Sequence, residues 1–418
     1  MFKTMKKIRS VKDVDFVCGQ VDHVLTMFSG GLDSTYLLNI LREQGVKVTA
    51  LAIDLGDDLD TAELEATTKM LGASLRVIDA KGVFALEAVL PAIRAHARYL
   101  NNYPISSSLS RPLIARIAVE LANSNGCGAI FHTATQSQNS LRRLNGAIAQ
   151  LGYCGFYGSP YEYTAITREE KAIALKEAGL HSFQQGAVSG DSNLWCREFE
   201  SGVLDNPEYF TAPETLFKWT QFRKSNQLAE TQHKLSITFL KGVPTAVNTV
   251  PMSPVELLAY LNSVVGAYGI GRFTGLEHLL DGEKVLEVRE APAAQILMDS
   301  FKHLETATHP YDLLREKMAL EQRWVQEAVE GRWFCKLREA IDQFLAYTAK
   351  EVSGVVTYNL SRGTLDVESI VAQDPLYLRD RDAWEVSTAK KCSSRSLGEC
   401  HPESSDRRVQ SGLALGAK

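Results

Sequence analysis

Short apolar runs alternate with helical patterns along the first third of the chain. Four of these runs predict buried strands, at residues 24–28, 46–53, 75–78 and 129–133. Between them, apolar residues recur at helical spacing, as at Leu37, Leu38 and Leu41, and Thr167 with Glu170 has the spacing of a capping box. Strands that alternate with helices are typical of βαβ units. The pattern therefore predicts an α/β domain built on a parallel sheet.

The pattern changes beyond about residue 181. Residues 181–230 are polar and aromatic without a clear period, and we place a domain boundary within or just before them. Farther on, residues 235–239 alternate as a half-buried strand does, and the motif Ser253-Pro254-Val255-Glu256 has the cap, proline and glutamate of a helix start. A long helix is expected after His309-Pro310, and a hairpin over residues 354–367. These elements predict a separate α+β domain.

Four segments follow from this division of the chain. They are an N-terminal extension (1–22), the α/β domain (23–182), the α+β domain (183–381) and a C-terminal tail (382–418). The tail is rich in Ser, Arg, Glu and Gly and has few large apolar residues. Most of it is therefore expected to be disordered.

Composition narrows the class of protein. Of the 418 residues, 45% are hydrophobic and 23% charged, and no run of about 18 apolar residues predicts a membrane span. The formal net charge of -5 gives no basic excess for nucleic acid. The 7 cysteines are scattered and never spaced as C-x-x-C, which favours reduced thiols over disulfides or a zinc site. With no secretion signal at the N-terminus, a cytoplasmic protein is expected, and no metal ligands are predicted.

The hexapeptide Ser29-Gly30-Gly31-Leu32-Asp33-Ser34 lies where the first strand turns into a helix. Adjacent glycines let backbone N–H groups converge on an anion, and the start of the helix adds a favourable dipole. The segment lacks the Gly-Lys-Ser/Thr of a Walker loop. A tight turn without function would explain two glycines alone, but the full hexapeptide in a strand-loop-helix setting favours a phosphate site.

The hexapeptide resembles the SGGxDS pyrophosphate loop of the ATP pyrophosphatase superfamily. From about His23 to Tyr377 the chain resembles the argininosuccinate synthase family more closely. Seven blocks in the same order carry this resemblance: Phe28 to Ser34, Ser107 to Arg116, His132 to Thr135, Ser189 to Leu194, Gly269 to Arg272, Glu290 to Leu297 and Glu330 to Phe334.

The resemblance implies an ATP pyrophosphatase (adenine nucleotide alpha hydrolase-like) domain followed by a synthetase and oligomerisation domain. In that family the ureido oxygen of citrulline attacks the α-phosphate of ATP, and the amine of aspartate then displaces AMP. ATP and Mg²⁺ are the implied cofactors, and a cytoplasmic homo-oligomer, a dimer or a tetramer, is the implied assembly. Arginine biosynthesis is the implied pathway.

The resemblance also implies residues for the nucleotide. Asp33 and Ser34 stand at the catalytic positions of the loop. The implied nucleotide-binding residues are Met27, Phe28, Ser29, Gly30, Gly31, Leu32, Asp33, Ser34, Thr35, Ile53, His132, Thr133 and Thr135.

The amino-acid pocket matches the family less well. The implied aspartate residues are Ser107, Thr135 and Asn139, with Ser140 at the position of a family aspartate. The implied citrulline residues are Tyr103, Ser108, Asn139, Arg143, Ser189 and Glu277. Two neutral hydroxyls of the family are replaced by Glu198 and Arg289, which suggests an ion pair across the pocket. Residues 133–140 also lose a lysine and three glycines of the family motif.

Three hypotheses follow from these matches and departures. The first is a ligase that joins a citrulline-like acceptor to aspartate or a related amine. The second is a specialised paralogue in secondary metabolism with a changed acceptor or amine. The third, from another class, is an inactive nucleotide-binding regulatory protein, which the intact loop disfavours. An RNA-modifying enzyme would need a basic face that the composition does not indicate.

Overall fold

The computed structural model describes residues 7–57, 59–180, 188–220, 233–279 and 282–393. The strands of its first part are β1 (Lys7–Ile8), β2 (His23–Met27), β3 (Lys47–Asp54), β4 (Ser74–Asp79), β5 (Arg98–Tyr99), β6 (Tyr103–Pro104), β7 (Ala129–Phe131) and β8 (Phe156–Gly158). Six of them form a parallel sheet in the order β1-β8-β7-β2-β3-β4, whereas β5 and β6 pair separately. The predicted parallel α/β fold is confirmed.

Helices cover this sheet. They are α1 (Val11–Cys18), α2 (Leu32–Glu43), α3 (Thr61–Met70), α4 (Lys81–Phe84), α5 (Leu90–Arg94), α6 (Ser107–Ser124), α7 (Ser140–Gln150) and α8 (Arg168–Glu177). A π-helical turn at Ala85–Val89 joins α4 to α5. The capping box expected at Thr167 and Glu170 is present at the start of α8. Leu37, Leu38 and Leu41 are buried on α2, as their spacing predicted.

The second part contains two antiparallel sheets. Its strands are β9 (Ser189–Ser192), β10 (Arg197–Glu200), β11 (His233–Leu240), β12 (Val243–Val247), β13 (Val250–Pro251), β14 (Arg272–His278), β15 (Lys284–Glu290), β16 (Gly354–Ser361) and β17 (Thr364–Ala372). One sheet has the order β14-β15-β10-β9 and the other has the order β13-β12-β11-β16-β17. The hairpin predicted over residues 354–367 is confirmed as the pair β16 and β17.

Five further helices are described in this part of the chain. They are α9 (Pro254–Gly266), α10 (Pro292–Thr308), α11 (Tyr311–Val329), α12 (Lys336–Ala349) and α13 (Arg381–Ser393). One apolar core joins the two parts of the chain, because Leu109 and Leu113 of α6 belong to the same buried cluster as Trp195, Leu297 and Trp324. Phe273 of β14 packs against this shared core, whereas Phe199, Leu286 and Val288 of the same sheet form a smaller cluster.

The structure adds elements at both ends that the sequence did not predict. Residues 7–18 of the expected N-terminal extension belong to the first domain, because β1 adds a parallel strand beside β8. In the expected disordered tail, Arg381–Ser393 forms α13, whose first turn is capped by the Asp380 carboxylate, which accepts from the Ala383 N–H at 3.0 Å. Residues 394–418 lie outside the described part.

The segment expected to be irregular contains two strands. Ser189–Ser192 and Arg197–Glu200 pair as β9 and β10, although β9 is entirely polar and β10 has a single buried apolar side chain, Phe199. The remainder of that prediction, over residues 181–187 and 221–230, lies outside the described residues. Polar strands lack an alternating apolar signal because their polar face lines a cavity, as described below.

Candidate active site

A cavity of about 530 Å³ lies between the carboxyl ends of β2, β3 and β7 and the polar face of the sheet β14-β15-β10-β9. Ligands of open α/β sheets bind at this edge, where the strands run into loops. Residues predicted from the sequence that line the cavity are Met27, Phe28, Ser29, Gly31, Leu32, Asp33, Ser34, Ile53, Ser107, His132, Thr133, Asn139, Ser140, Arg143, Ser189 and Glu198. One cavity thus collects both halves of the predicted site.

The glycine loop forms one end of this cavity. Gly30 has φ +76, and a Cβ atom there would lie 2.5 Å from Leu64 Cδ2, so any other residue would be strained and would displace the end of the Leu64 side chain. The Ser34 hydroxyl donates to the Gly31 carbonyl oxygen at 3.1 Å and lies 3.2 Å from the Ser29 hydroxyl. Because α2 begins at Leu32, the N–H groups of its first turn lack intrahelical acceptors. These features form an anion cradle at the helix N-terminus.

Asp33, in the first turn of α2, is held by two residues that the sequence reasoning did not select. Lys171 Nζ donates to Asp33 Oδ1 at 2.7 Å, and the Tyr161 hydroxyl donates to the Asp33 backbone carbonyl at 3.0 Å. The sequence pattern predicts only that Lys171 lies in a helix that begins with a capping box, and it indicates no role for this lysine. The contact joins α8 to the loop across more than a hundred residues, so sequence spacing gave no signal for it.

His132 belongs to the floor of the cavity. It is 1% exposed, and its Nε2 lies 3.0 Å from Asn145 Oδ1. Burial lowers the pKa of His132 to about 4, so the ring is neutral at physiological pH. Nδ1 accepts from the Ala134 N–H at 3.4 Å. This histidine positions the chain after β7 and is not suited to be a base.

The other end of the cavity is ionic. The register of β10 against β15 sets Glu198 opposite Arg289, and Arg289 Nη1 lies 3.0 Å from Glu198 Oε2. The ion pair expected from the sequence is therefore present. Arg289 is 1% exposed, donates to the Pro104 carbonyl at 2.8 Å and lies 3.1 Å from Glu277 Oε2. It also contacts Glu287, so three carboxylates surround one guanidinium.

Glu277 links this guanidinium to a second one. Arg143 contacts Glu277 with Nη2, donates to the Ser107 hydroxyl at 2.7 Å through Nη1 and donates to the Val329 carbonyl at 3.2 Å. Asn139 Nδ2 donates to Glu277 Oε1 at 2.7 Å. Burial raises the pKa of Glu277, but Arg143 and Arg289 outweigh that effect and bring the pKa to about 2. Glu277 is thus ionised.

Carboxylates exceed guanidiniums around this end. Burial raises the pKa of Glu287 well above its usual value, despite Arg289, and burial also raises the pKa of Glu200. Glu200 accepts from Gln138 Nε2 at 2.9 Å. Arg111 supplies a third guanidinium, which lies 3.2 Å from Asp191 Oδ1. A carboxylate that is buried without its own cation favours a proton or a positively charged ligand.

Not every predicted residue reaches the cavity surface. Among the described residues, those that do not line the cavity are Gly30, Thr35, Tyr103, Ser108, Thr135, Glu277 and Arg289. Tyr103 stacks below Arg289, whose guanidinium carbon is 4.5 Å from the ring centre. Residues of the lining that sequence reasoning missed include Arg111, Gln138, Asp191, Glu200 and Glu287. For Glu200 and Glu287 the signal was alternation in β10 and β15, which was hidden because the alternating residues include charged ones. Arg111, Gln138 and Asp191 lie outside these two strands and left no such signal.

A possible metal group occurs away from this cavity. His96, Glu305 and Glu321 place ligand atoms within 4.8 Å of one another. Lys317 Nζ, however, lies 2.8 Å from Glu305 Oε2 and also contacts Glu321. The lysine supplies the positive charge that a metal ion would supply, so the group is a buried ion-pair cluster.

A parallel α/β domain with a phosphate loop, closed by a second domain that carries an ionic pocket, defines a nucleotide-dependent enzyme that acts on a small polar molecule. Two family models match, described as Arginosuccinate synthase N-terminal HUP domain (residues 23–178) and Arginosuccinate synthase C-terminal domain (residues 188–395). The chain belongs to the argininosuccinate synthase family and is accordingly a ligase.

Curated relatives agree with the family models. The argininosuccinate synthase of Ligilactobacillus salivarius is 36% identical over 357 residues, which cover 85% of this chain and 88% of the relative. That of Rubrobacter xylanophilus is 33% identical over 365 residues, which cover 87% and 88%. A solved structure of NMN synthetase from Francisella tularensis covers 41% of this chain and 68% of that chain, with 15% identity and a TM-score of 0.30, which is too low to bear on function.

Within the described ranges, no helix is long and apolar enough to cross a membrane.

Proposed function

We propose that this protein is an ATP-dependent carbon-nitrogen ligase that joins a citrulline-like ureido compound to aspartate or a related amino acid. In the first step the ureido oxygen bonds to the α-phosphorus of ATP, and pyrophosphate leaves. In the second step the amine nitrogen bonds to the ureido carbon, the carbon-oxygen bond to the phosphate breaks, and AMP leaves with the amine proton released. The observation that carries the proposal is one cavity with the glycine loop at one end and the Arg143, Asn139 and Glu277 cluster at the other.

The loop is suited to the leaving pyrophosphate. Backbone N–H groups at Gly31 and at the first turn of α2 would hold phosphate oxygens, with the hydroxyls of Ser29 and Ser34 beside them. Positioning and charge neutralisation of this kind suffice for phosphoryl chemistry without a covalent intermediate on the enzyme. We assign ATP to this end, with Met27, Ile53 and Thr133 on the nucleotide side of the cavity.

Mg²⁺ fits the same end of the cavity. Carboxylate and hydroxyl oxygens are the protein ligands that Mg²⁺ takes alongside phosphates, and Asp33 with Ser29 and Ser34 presents them. We propose that Asp33 would hold the ion together with ATP. When bound, the ion would neutralise part of the polyphosphate charge.

The ionic end is suited to an amino acid. Glu198 and Glu200 line this end and offer carboxylates for an ammonium group, and Arg143 and Ser107 offer donors for a carboxylate. Glu277 lies outside the lining and holds Arg143 in place. Ser189 and Asn139 add neutral partners on opposite walls, and Ser140 lies at the start of α7 near Arg111. Water exclusion follows from burial of the wall, since Arg143 is 1% exposed.

A second candidate function keeps the adenylation step and changes the acceptor. The observation that favours it is the buried Glu198–Arg289 pair, which adds two charges where the family resemblance implies two hydroxyls. These charges lie beside the Glu277 carboxylate. The chemistry at the phosphate loop would be unchanged.

One assay separates these functions. Purified enzyme, ATP and Mg²⁺ are incubated with citrulline and aspartate, with one substrate omitted in controls, and AMP and the joined product are measured by mass spectrometry. AMP formed only with both substrates supports the first function. AMP formed only when another ureido compound or amine replaces one of them supports the second. No AMP with any pair, despite ATP binding, would contradict both and support a nucleotide-binding regulatory protein.

Exposed apolar side chains and free cysteines bear on assembly and location. We propose a homo-oligomer, a dimer or a tetramer, because exposed apolar side chains such as Tyr311 (74%), Tyr347 (72%) and Leu100 (71%) would gain from being covered. Light scattering on the full-length protein measures this directly. We propose a cytoplasmic location in arginine biosynthesis, in keeping with free cysteines such as Cys127 and Cys196.

A further inference from the structure

Lys171 is a lysine removed from water beside the phosphate loop. It lies on α8, is 4% exposed and faces the same way as Leu175, which is 0% exposed. A lysine is rarely buried unless its charge is paired, because removal of an ammonium group from water is costly. The partners of Lys171 therefore indicate why the charge is there.

Those partners all belong to one small cluster. Lys171 Nζ donates to Asp33 Oδ1 at 2.7 Å and lies 4.3 Å from the centre of the Tyr161 ring. The Tyr161 hydroxyl donates to the Asp33 backbone carbonyl at 3.0 Å. Burial and the nearby Asp33 raise the pKa of Tyr161, which keeps its hydroxyl a neutral donor. Asp33 is thus held at its carboxylate and at its backbone.

Asp33 faces the cavity between Gly31 and Ser34, whereas Lys171 does not line it. An unpaired carboxylate at this place would repel phosphate groups and oppose the favourable field of the N–H groups at the start of α2. With the ammonium group of Lys171 2.7 Å away, the net charge of the pair is zero. The loop then presents its donors to an anion without opposing charge.

We propose that Lys171 is a positioning residue for the phosphate loop: it orients Asp33 and cancels the charge of its carboxylate, so that the loop accepts the polyphosphate of ATP. Lys171 acts through Asp33 and does not touch the nucleotide. This inference rests on the ATP site of the proposed function but not on the identity of the acceptor or the amine.

Binding measurements without turnover test the proposal. Kd values for ATP, for inorganic pyrophosphate and for adenosine are measured by calorimetry on the full-length protein. In K171M, the Kd values for ATP and pyrophosphate are expected to rise about tenfold, since one unit charge near the phosphates is no longer cancelled. The Kd for adenosine is expected to be unchanged, because adenosine carries no phosphate. K171R keeps the charge and is expected to bind ATP as the wild type does.

The matched control is K176M, because Lys176 lies on the same helix and is exposed. It is expected to change none of the three Kd values. With EDTA present, so that no ion held by Asp33 contributes to binding, a double variant, D33N with K171M, removes both charges and is expected to recover most of the ATP affinity that K171M loses. It also remains informative if K171M alone does not fold, since no unpaired charge is left buried.

Three results would overturn the proposal. Equal weakening of adenosine and ATP in K171M would mean that Lys171 only supports the fold. Retained ATP affinity in K171M, or ATP affinity in the double variant as poor as in K171M, would mean that the charge has no role. Because these are binding measurements, they stay interpretable if the ligase assay with citrulline and aspartate fails, so the two failures are distinguishable.

Discussion

Removal of the Arg289 guanidinium would test the ionic end of the cavity most directly. In R289M, an unbranched apolar side chain replaces a guanidinium that contacts Glu198, Glu277 and Glu287 and donates to the Pro104 carbonyl. Removal of one partner from a buried ion pair costs about 3–5 kcal/mol, because an unpaired charge is left inside the protein. We expect a loss of this size in the free energy of unfolding at pH 7.

The loss is expected to depend on pH with a definite sign. Burial already raises the pKa of Glu287, and the pKa of Glu277, which is about 2 with both guanidiniums present, should rise when one is removed. A carboxylate whose pKa is higher in the folded state than in the unfolded state destabilises the fold as the pH rises above the unfolded value. The deficit of R289M should therefore grow from pH 5 to pH 8, by up to about 1.4 kcal/mol per pH unit for each such carboxylate.

Urea unfolding of wild type and variant at pH 5, 6, 7 and 8 measures this difference. The control is R315M, because Arg315 is 58% exposed and its contact with Glu316, at 3.2 Å, lies in solvent. Its effect should stay within about 0.5 kcal/mol at every pH. A deficit of R289M below about 1 kcal/mol at pH 7, typical of an exposed pair, would refute the reasoning, as would a deficit that shrinks as the pH rises.

Other parts of the structure lead to further predictions. Gly30→Ala should lower AMP formation about tenfold or more, because Gly30 has φ +76 and a Cβ atom there would lie 2.5 Å from Leu64. The control Gly72→Ala should leave AMP formation unchanged, because Gly72 has φ +71 but no atom within 4 Å of the added Cβ. Equal losses in the two variants would contradict this prediction. In an NMR titration, His132 should have its midpoint near pH 4. Its contribution to the free energy of unfolding should be lost as the pH falls from about 6.5 to 4. An NMR midpoint above pH 6 would contradict this prediction. Glu290→Gln should lower the free energy of unfolding in urea by about 2 kcal/mol, because the carboxylate accepts from Arg197 and from the backbone N–H groups of residues 218–220. An unchanged urea midpoint would contradict this prediction.

The fold was predictable where periodicity and burial agree. Strands β2, β3 and β7 are largely buried, so their apolar runs stood out, whereas β4 lies at the edge of the sheet with most of its side chains exposed. The starts of α8 and α9 carried capping boxes. The first helix and strand of the chain were missed because β1 has only two residues, too few for a period. Helix α13 was missed because its side chains are largely exposed, and a helix without an apolar stripe leaves no pattern.

The site was predictable from sequence to different degrees at its two ends. The glycine loop is local: residues adjacent in the chain create the cradle, so its chemistry could be inferred from six letters. Lys171 is not local, because its contact with Asp33 exists only when α8 packs on α2. Resemblance to a family helped where the residues agreed, but it could not supply a lysine whose role depends on a contact between distant helices.

The ionic end shows a further limit, which concerns charge balance. Position by position, the sequence suggested one pair, Glu198 with Arg289, and the structure contains that pair. The same guanidinium also contacts Glu277 and Glu287, so the pair belongs to a group in which carboxylates outnumber the guanidinium. The raised pKa of Glu287 is the physical sign of the surplus carboxylate. An acceptor that brings an ammonium group to this wall would take the place of a proton bound there. Glu198 and Arg289, which stand where the family has two hydroxyls, therefore change the protonation of the pocket as well as its shape.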